Sequence, residues 1–256
     1  MGASIAAVIT AAGSSTRMGG GCKKEYLVLP KTQTAGSSDI SEAEDERLTV
    51  LGSAVSSFAA CARVSVIAIT VPPDADADDY TSEYTGEYAA RKALPQHLLR
   101  QEYPAVFFVP GGSSRRMSVH HALSTLAGFK PDYVLIHDGA RPWVKTSMID
   151  RIIDAVMLYD AVLPVLSLSE TPKELDGGFV KRHLKRASVV LAQTPQAFVF
   201  NTLLEAHEKA IVHELMDDVE YTDDAEVWGE FVGPVAVING DKLNRKITFP
   251  EDIPPS

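Results

Sequence analysis

Short apolar runs rich in β-branched residues alternate with segments of helical periodicity along most of this chain. The short runs predict buried strands, and the longer periodic segments predict helices packed against them. We predict strands at 5–9, 64–71, 106–109, 133–136, 161–166 and 235–239. We predict helices at 49–61, 88–99, 118–129, 146–159 and 201–213. This alternation is typical of an α/β fold with a doubly wound, mostly parallel sheet.

The length of 256 residues suits one sizeable α/β domain, so we predict a single domain over 1–256. The formal net charge of −10 argues against a nucleic-acid partner that is bound through a broad basic face. No apolar run approaches the roughly 20 residues that a membrane span needs, and no secretion signal is visible. We therefore expect a cytoplasmic protein without a membrane partner, in which Cys22 and Cys61 are free thiols.

The loop that follows the first strand, 11–24, reads AAGSSTRMGGGCKK. Glycine allows the backbone to approach a ligand closely, and exposed N–H groups bind phosphate oxygens. Arg17, Lys23 and Lys24 add the positive charge that a triphosphate requires. The loop matches neither GxxxxGK[ST] nor the dinucleotide pattern GxGxxG. It predicts a phosphate-binding loop of another kind, and the alternative is a surface turn without a ligand.

A second glycine-containing segment, GGSSRRMS at 111–118, also follows a predicted strand. Open α/β sheets bind their ligands beyond the carboxyl ends of their strands. The two glycines allow close approach of a flat base or a ribose. Ser118 either caps the following helix or contacts the ligand.

Two charged segments, HDGARP at 137–142 and NRKIT at 244–248, follow later strands. A carboxylate such as Asp138, beside a triphosphate, is a usual ligand of Mg²⁺. Arg141 can hold a phosphate through two parallel hydrogen bonds, and the alternative is a local ion pair with Asp138. Lys246 is the candidate in the last segment, where it either contacts a ligand or is simply solvated.

Together these segments resemble the 2-C-methyl-D-erythritol 4-phosphate cytidylyltransferases, a family of the non-mevalonate isoprenoid pathway. The matching pieces occur in the family's order and span 5–253. They are AAGSSTRM with Lys24, GGSSRRMSV, HDGARP, RASVVLAQTPQAF, YTDDAEV and NRKITFPED. The resemblance implies a Rossmann-like fold and transfer of the cytidylyl group from CTP to methylerythritol phosphate, with release of pyrophosphate.

The resemblance also implies a homodimer joined through an extended β-arm. The arm would fall at 167–187, where the regular alternation of strands and helices is lost. Gly177 and Gly178 lie between two short segments of this stretch and predict a hairpin turn.

Roles for individual residues follow from the same resemblance. The nucleotide would be bound by Ala11, Ala12, Gly13, Gly112 and Ser118. The triphosphate and the transition state would be stabilised by Arg17, Lys24 and Lys246. Asp138 would face Mg²⁺ or another divalent cation. The sugar phosphate would be bound by Asp138, Arg141 and Thr194 in the pocket, and by Thr171 and Arg186 across the dimer.

Three positions depart from the family's pattern. Ser113 and Ser114 stand where the family usually carries an acidic pair. Leu243 stands where an aspartate often precedes the asparagine of the last motif. The acidic stretch at 31–47 is an insertion without an assigned role.

Two alternatives to the methylerythritol reaction stay open on the sequence. A related enzyme that uses ribitol 5-phosphate shares the fold, the nucleotide site and the mechanism, although Ala140-Arg141 and the stretch 222–225 favour the methylerythritol branch. A catalytically silent binding module of the same fold is the other alternative. The retained cations and the carboxylate argue against it.

Overall fold

The computed structural model of this chain describes residues 2–15, 18, 23–30, 48–73, 86–217 and 219–254. The predicted catalytic residue Arg17, the predicted free thiol Cys22 and the insertion at 31–47 lie outside the described residues.

The described strands are short and mostly apolar. They are β1 (Ile5–Thr10), β2 (Val64–Val71), β3 (Ala105–Pro110), β4 (Tyr133–Asp138), β5 (Ala161–Ser167), β6 (Lys173–Asp176), β7 (Phe179–His183), β8 (Val190–Ala192), β9 (Gln196–Val199) and β10 (Ala236–Asn239). The described α-helices are α1 (Val50–Ala59), α2 (Gly86–Lys92), α3 (Gln96–Arg100), α4 (Arg115–Leu126), α5 (Thr146–Tyr159), α6 (Phe200–Asp217) and α7 (Asp224–Phe231).

The central sheet has the strand order β10-β5-β9-β4-β1-β2-β3, and β8 pairs with the carboxyl-terminal residues of β5. The pairs β1–β2, β1–β4, β2–β3 and β5–β10 are parallel, whereas β9 runs antiparallel to both of its neighbours. Successive side chains of a strand point to opposite faces, so β1 contributes to two cores. Ile5, Ala7 and Ile9 pack with α1, α3 and α5, whereas Ala6 and Val8 pack with α4, α6 and α7. The predicted doubly wound, mostly parallel sheet is confirmed.

The predicted helix at 88–99 is wrong as a single element. Two shorter helices, α2 and α3, occupy this region, and Pro95 stands directly before the second one. Proline has no N–H to donate and its ring clashes with the preceding turn, so one continuous helix cannot run through it. Among the described helices, none is both long and apolar enough to cross a bilayer.

The start of the predicted helix at 118–129 is also wrong. Helix α4 begins at Arg115, and the Ser114 hydroxyl accepts a hydrogen bond from the Met117 N–H at 3.1 Å. Ser114 is therefore the N-cap, and Ser118 lies inside the helix. A 3₁₀ turn at Ala127–Phe129 continues the chain to the predicted end.

Strands β6 and β7 form a separate two-stranded hairpin between β5 and β8. Its turn residues Gly177 and Gly178 have φ angles of +56° and +86°, which side chains rarely adopt and which tight hairpin turns require. Phe179 is 80% exposed, and Leu175 and Val180 are also exposed. The predicted hairpin is confirmed, and its role in a dimer stays a prediction.

Candidate active site

A cavity of about 590 Å³ lies beyond the carboxyl ends of β1, β2 and β4. The parallel register places Thr10 of β1 between Thr70 of β2 and Asp138 of β4. All three residues line the cavity. The chain segments that leave these strands form the rest of the wall, as expected for an open α/β sheet.

Asp138, the last residue of β4, carries the carboxylate at the base of this cavity and is buried. Its Oδ2 atom lies 3.0 Å from Lys246 Nζ and 3.2 Å from Arg141 Nε. Its Oδ1 atom lies 3.8 Å from Arg115 Nε. One carboxylate thus holds three cationic side chains from three different segments.

The charges around Asp138 decide its ionisation. Burial by itself raises the pKa of this carboxyl, but the positive charges of Lys246, Arg115 and Arg141 outweigh it and hold the pKa well below its usual range. Asp138 is therefore ionised. Arg115 also pairs with the carboxylate of Asp224, so three cations face two anions and leave a local excess of positive charge. Such an arrangement favours the binding of an anionic ligand.

A buried hydrogen-bond network fixes the backbone at Asp138. Burial lowers the pKa of His137 to about 4, so its ring is neutral near pH 7. His137 Nε2 lies 3.1 Å from the Arg141 carbonyl oxygen, which only accepts, so Nε2 carries the proton. Nδ1 then accepts from the Thr194 hydroxyl at 3.0 Å, and this hydroxyl accepts from the Asp138 N–H at 3.0 Å.

The loop that carries Lys246 is anchored on both sides of this residue. Asn244 is fully buried and donates to the Thr194 carbonyl oxygen at 2.7 Å, and its own carbonyl oxygen accepts from Arg141 Nη1 at 2.9 Å. The Ile247 N–H donates to the Ala140 carbonyl oxygen at 2.9 Å. The structure therefore brings the last motif of the sequence onto the HDGARP segment.

The second glycine-containing segment closes another side of the cavity. The Ser118 hydroxyl accepts from the Gly112 N–H at 3.0 Å and donates to the Ser114 carbonyl oxygen at 2.9 Å. Gly112, Ser113, Ser114 and Ser118 all line the cavity. Ser118 shapes this loop from inside α4.

Gly111 lies where the two predicted nucleotide-binding loops touch. A Cβ atom at this position would lie 2.4 Å from Ala12 Cβ and 3.0 Å from Ser118 Oγ. We expect Gly111→Ala to lower the free energy of unfolding by about 1–3 kcal/mol, because the two loops must separate. The same shift should weaken binding of the nucleotide, which calorimetry measures.

Gly128→Ala is the matched control for this substitution, because nothing lies within 4 Å of a Cβ atom there. This variant should unfold and bind as the wild type does. Unchanged stability and nucleotide affinity in Gly111→Ala would contradict the close approach of the two loops.

The first loop contributes Ala12, Gly13 and Lys24 to the cavity wall. Ala11 is buried behind them, and its N–H lies 3.1 Å from both the carbonyl oxygen and the hydroxyl of Thr70. The predicted role of Arg17 concerns a residue outside the described part of the chain.

The residues predicted on the β-arm lie elsewhere. Thr171 and Arg186 are exposed and do not line the cavity. Arg186 Nη1 donates to the Ser169 carbonyl oxygen at 2.8 Å, within the arm. Arg141 and Thr194 stand behind Asp138 and hold it in place, as described above.

Among the described residues, three carboxylates line the cavity, those of Asp138, Glu25 and Glu220, and Asp138 is the one predicted to face a divalent cation. Within the described residues, no three His, Cys, Asp or Glu side chains are grouped to hold a metal ion. Asp138 Oδ2 is occupied by two cationic side chains, whereas Oδ1 has the longer 3.8 Å contact. Mg²⁺ commonly keeps several waters and takes one or two carboxylates together with substrate phosphates. The residues fit an ion that is bound largely by a nucleotide.

Arg115, His207 and Asp224 meet beside Asp138 and carry no role predicted from the sequence. Arg115 was part of a quoted motif, and its place at the start of a helix after two glycines was the available signal. Asp224 directly follows Asp223, the N-cap of α7. The spacing from Asp223 to Glu226 is that of a capping motif, so the start of α7 can be predicted from the sequence. Nothing in the sequence signals that His207 of α6 reaches them.

The fold and the cavity together define an α/β protein with a cavity at the ends of its parallel strands, where cationic side chains surround a buried carboxylate. The family model for 2-C-methyl-D-erythritol 4-phosphate cytidylyltransferase, IspD, matches residues 5–255. The chain belongs to this family.

Relatives among curated proteins agree with this assignment. The bifunctional enzyme IspD/IspF of Bradyrhizobium sp. (strain ORS 278) is 37% identical over 96% of this chain and 54% of its own length. The protein of the same name from Nitrobacter winogradskyi is 38% identical over 96% of this chain and 53% of its own length. The chain thus spans about half the length of the curated relatives that it matches.

Solved structures share the fold. A 4-diphosphocytidyl-2C-methyl-D-erythritol synthase from Anaerococcus prevotii DSM 20548 superposes with a TM-score of 0.72 at 23% identity, covering 98% of this chain and 95% of that one. The 2-C-methyl-D-erythritol 4-phosphate cytidylyltransferase of Thermus thermophilus gives a TM-score of 0.65 at 25% identity, covering 99% of this chain and 96% of that one.

Proposed function

We propose that this protein transfers the cytidylyl group of CTP to 2-C-methyl-D-erythritol 4-phosphate, giving CDP-methylerythritol and pyrophosphate. Membership of the IspD family supports the reaction. The observation that carries it is the buried Asp138 carboxylate with Arg115, Arg141 and Lys246 around it, in a cavity that Lys24 also lines. A nucleoside triphosphate and a phosphate monoester are both strongly anionic, and both must enter one site.

The chemical step needs little from the protein beyond position and charge. An oxygen of the sugar phosphate attacks the α-phosphorus of CTP in line, a new P–O bond forms, and the bond to the β-phosphate oxygen breaks. The electron pair leaves with pyrophosphate. The attacking phosphate oxygen is already anionic, so a protein nucleophile is not required. Catalysis then depends on orientation and on neutralising the negative charge that develops.

Cations at the cavity wall would supply this neutralisation. In this proposal Lys24, Lys246 and Arg17 bind the triphosphate and stabilise the transition state. The two glycine-containing loops bind the nucleotide itself, through Ala11, Ala12, Gly13, Gly112 and Ser118. Ser113 and Ser114 line the same wall, where hydroxyls replace the family's acidic pair.

A divalent cation bound with the nucleotide would add further positive charge on the phosphates. Asp138 Oδ1 is the carboxylate oxygen that would face it. Leu243 is 60% exposed. The nearby Asp241 carboxylate accepts a hydrogen bond from the Leu243 N–H and forms an ion pair with Lys145 at 3.2 Å. The last loop therefore supports the site through Lys246 rather than through a carboxylate.

The exposed hairpin supports a second part of the proposal, a homodimer joined through the arm at 167–187. Leu175, Phe179 and Val180 present apolar side chains that burial against a second copy would remove from water. Thr171 and Arg186 would then reach the sugar phosphate in the partner's cavity. With Cys61 a buried free thiol, the cytoplasm is the proposed compartment.

Arg186→Ala tests the arm. We expect KM for methylerythritol phosphate to rise roughly 10- to 100-fold, because a charge-assisted hydrogen bond to the phosphate is lost, while KM for CTP changes little. Arg182→Ala is the control, since Arg182 is an exposed hairpin arginine that pairs with Glu174 at 2.6 Å. Steady-state kinetics with each substrate varied in turn give both constants. An equal rise in both KM values would contradict the assignment.

The position of attack is tested with labelled CTP. With ³²P in the α-phosphate, the label should appear in the sugar-containing product, and with ³²P in the γ-phosphate it should appear in pyrophosphate. Label from the γ-position in the sugar product would indicate a kinase-like transfer and would overturn the proposed reaction.

A further inference from the structure

Arg115 bridges two carboxylates at the edge of the cavity. It is the first residue of α4, and it lines the cavity wall. Its Nη2 atom lies 2.8 Å from Asp224 Oδ2, whereas its Nε atom lies 3.8 Å from Asp138 Oδ1. The guanidinium therefore makes its shorter contact away from Asp138.

Asp224 is a buried anion with partners on two sides. It is the first residue of α7, and none of its surface is exposed. His207, equally buried in α6, places Nε2 3.1 Å from Asp224 Oδ1. Burial raises the pKa of the Asp224 carboxyl, but Arg115 and His207 outweigh this effect and lower it. The buried carboxylate is thus ionised and forms an ion pair with the guanidinium.

The two oxygens of Asp138 are unequal as a result. Oδ2 accepts from Arg141 and pairs with Lys246 at hydrogen-bond distances, while Oδ1 has only the 3.8 Å contact with Arg115 among the ion pairs of the described residues. A guanidinium can bind a carboxylate through two parallel hydrogen bonds. Here Asp224 draws Arg115 aside, and such a closed pair with Asp138 does not form.

We propose that Asp224, held by His207, is a positioning residue that keeps Arg115 beside Asp138 without letting it close on Oδ1. This oxygen then stays open to the substrate complex, so the inference rests on the proposed function. Arg115 acts as a fixed positive charge on the cavity wall, while Asp224 and His207 act through it and do not touch the substrates.

Asp224→Asn removes the stronger partner of Arg115 while keeping the size of the side chain. The guanidinium should swing onto Asp138 Oδ1 and form a direct hydrogen bond with it. We expect kcat to fall roughly 10- to 100-fold, by analogy with the loss found when a group that orients a metal ligand is removed, with KM values nearly unchanged. The matched control is Asp223→Ala, which loses the N-cap of α7 but leaves the ion pair between Arg115 and Asp224 in place.

The control separates positioning from folding. Asp223→Ala should lower the free energy of unfolding, measured by denaturant titration, with kcat of the folded enzyme unchanged. A fall in kcat equal to that of Asp224→Asn would show that disturbance of α7 alone explains the loss, and would overturn the proposal.

A double variant asks whether Asp224 acts through Arg115. Arg115→Gln removes the guanidinium, so adding Asp224→Asn to it should cost little more in kcat. Losses that multiply would mean that the two residues act independently and would overturn the proposal. Arg115→Lys is a variant at the partly exposed cavity wall that keeps the charge but not the planar fork. It should also lose activity, and wild-type turnover would contradict the need for a fixed guanidinium.

Crystal structures of the wild type and of Asp224→Asn provide a readout that does not depend on turnover. We expect the distance from Arg115 to Asp138 Oδ1 to shorten from 3.8 Å to hydrogen-bond length in the variant. An unmoved guanidinium would overturn the proposal even if the enzyme is active. A wild type that is inactive with every polyol phosphate would refute the proposed function and leave this structural test intact.

Discussion

Lys246→Ala is expected to lower kcat roughly 10²- to 10³-fold, the usual loss when one group that stabilises a developing anion is removed. Lys246 reaches the cavity wall, and its Nζ atom lies 3.0 Å from Asp138 Oδ2. Its positive charge stabilises the transition state more than the bound substrates, because negative charge develops on the phosphates as the reaction proceeds. KM for CTP should therefore rise far less than kcat falls.

The variant should stay folded, because Asp138 keeps Arg115 and Arg141 as partners. Lys242→Ala, an exposed lysine of the same loop, is the control and should retain wild-type kcat. Lys24→Ala, which alters the cavity wall at the first loop, should lose turnover as Lys246→Ala does. Near-normal rates in either cavity variant, measured as pyrophosphate release, would refute charge neutralisation by these lysines.

Asp138→Asn is expected to affect both turnover and stability. The substitution leaves the three cations around this position without their shared anion, and removing one partner from a buried charge cluster costs about 3 kcal/mol of unfolding free energy. We expect kcat to fall at least roughly 10²-fold, since the geometry of Lys246 and Arg141 depends on the carboxylate. Asp241→Asn is the control, because Asp241 pairs with Lys145 near the surface and should cost less than about 1 kcal/mol.

The pH dependence of this stability difference has a definite sign. The pKa of Asp138 is lowered in the folded protein, so its stabilising contribution is present above the pKa of the unfolded chain and is lost as the pH falls towards the folded value. The difference in unfolding free energy between wild type and Asp138→Asn should be constant near neutral pH and shrink below about pH 4. A difference that grows on acidification would contradict the assigned ion pairs.

Much of the fold could be predicted because its signals are local. The β-branched run at 64–71 predicts the bounds of β2 correctly, and the periodic apolar positions at 146–159 predict those of α5. Pro95 marks the break between α2 and α3, so the single helix predicted at 88–99 overlooks a signal that is present in the sequence. Strand β9, by contrast, is a four-residue run. Its antiparallel insertion between β4 and β5 depends on tertiary packing that its own sequence does not encode.

The candidate site was predictable where one residue ends a strand. Asp138 and the glycines after β3 follow strands directly, so the topology alone brings them to one edge of the sheet. The contact of Arg115 with Asp224 joins residues far apart in the chain, and its presence depends on how α4 and α7 pack. Ser118 could not be separated from Ser114 as the cap until the start of α4 was known.

The measurement that tests the account most directly is pyrophosphate release from CTP and Mg²⁺, with methylerythritol 4-phosphate and ribitol 5-phosphate offered in parallel. We expect turnover with methylerythritol 4-phosphate and its loss in Lys246→Ala. Turnover with ribitol 5-phosphate alone would keep the fold and the mechanism but contradict the proposed substrate. Silence with both substrates, from a folded protein that binds CTP, would contradict the proposed enzyme and favour a binding module.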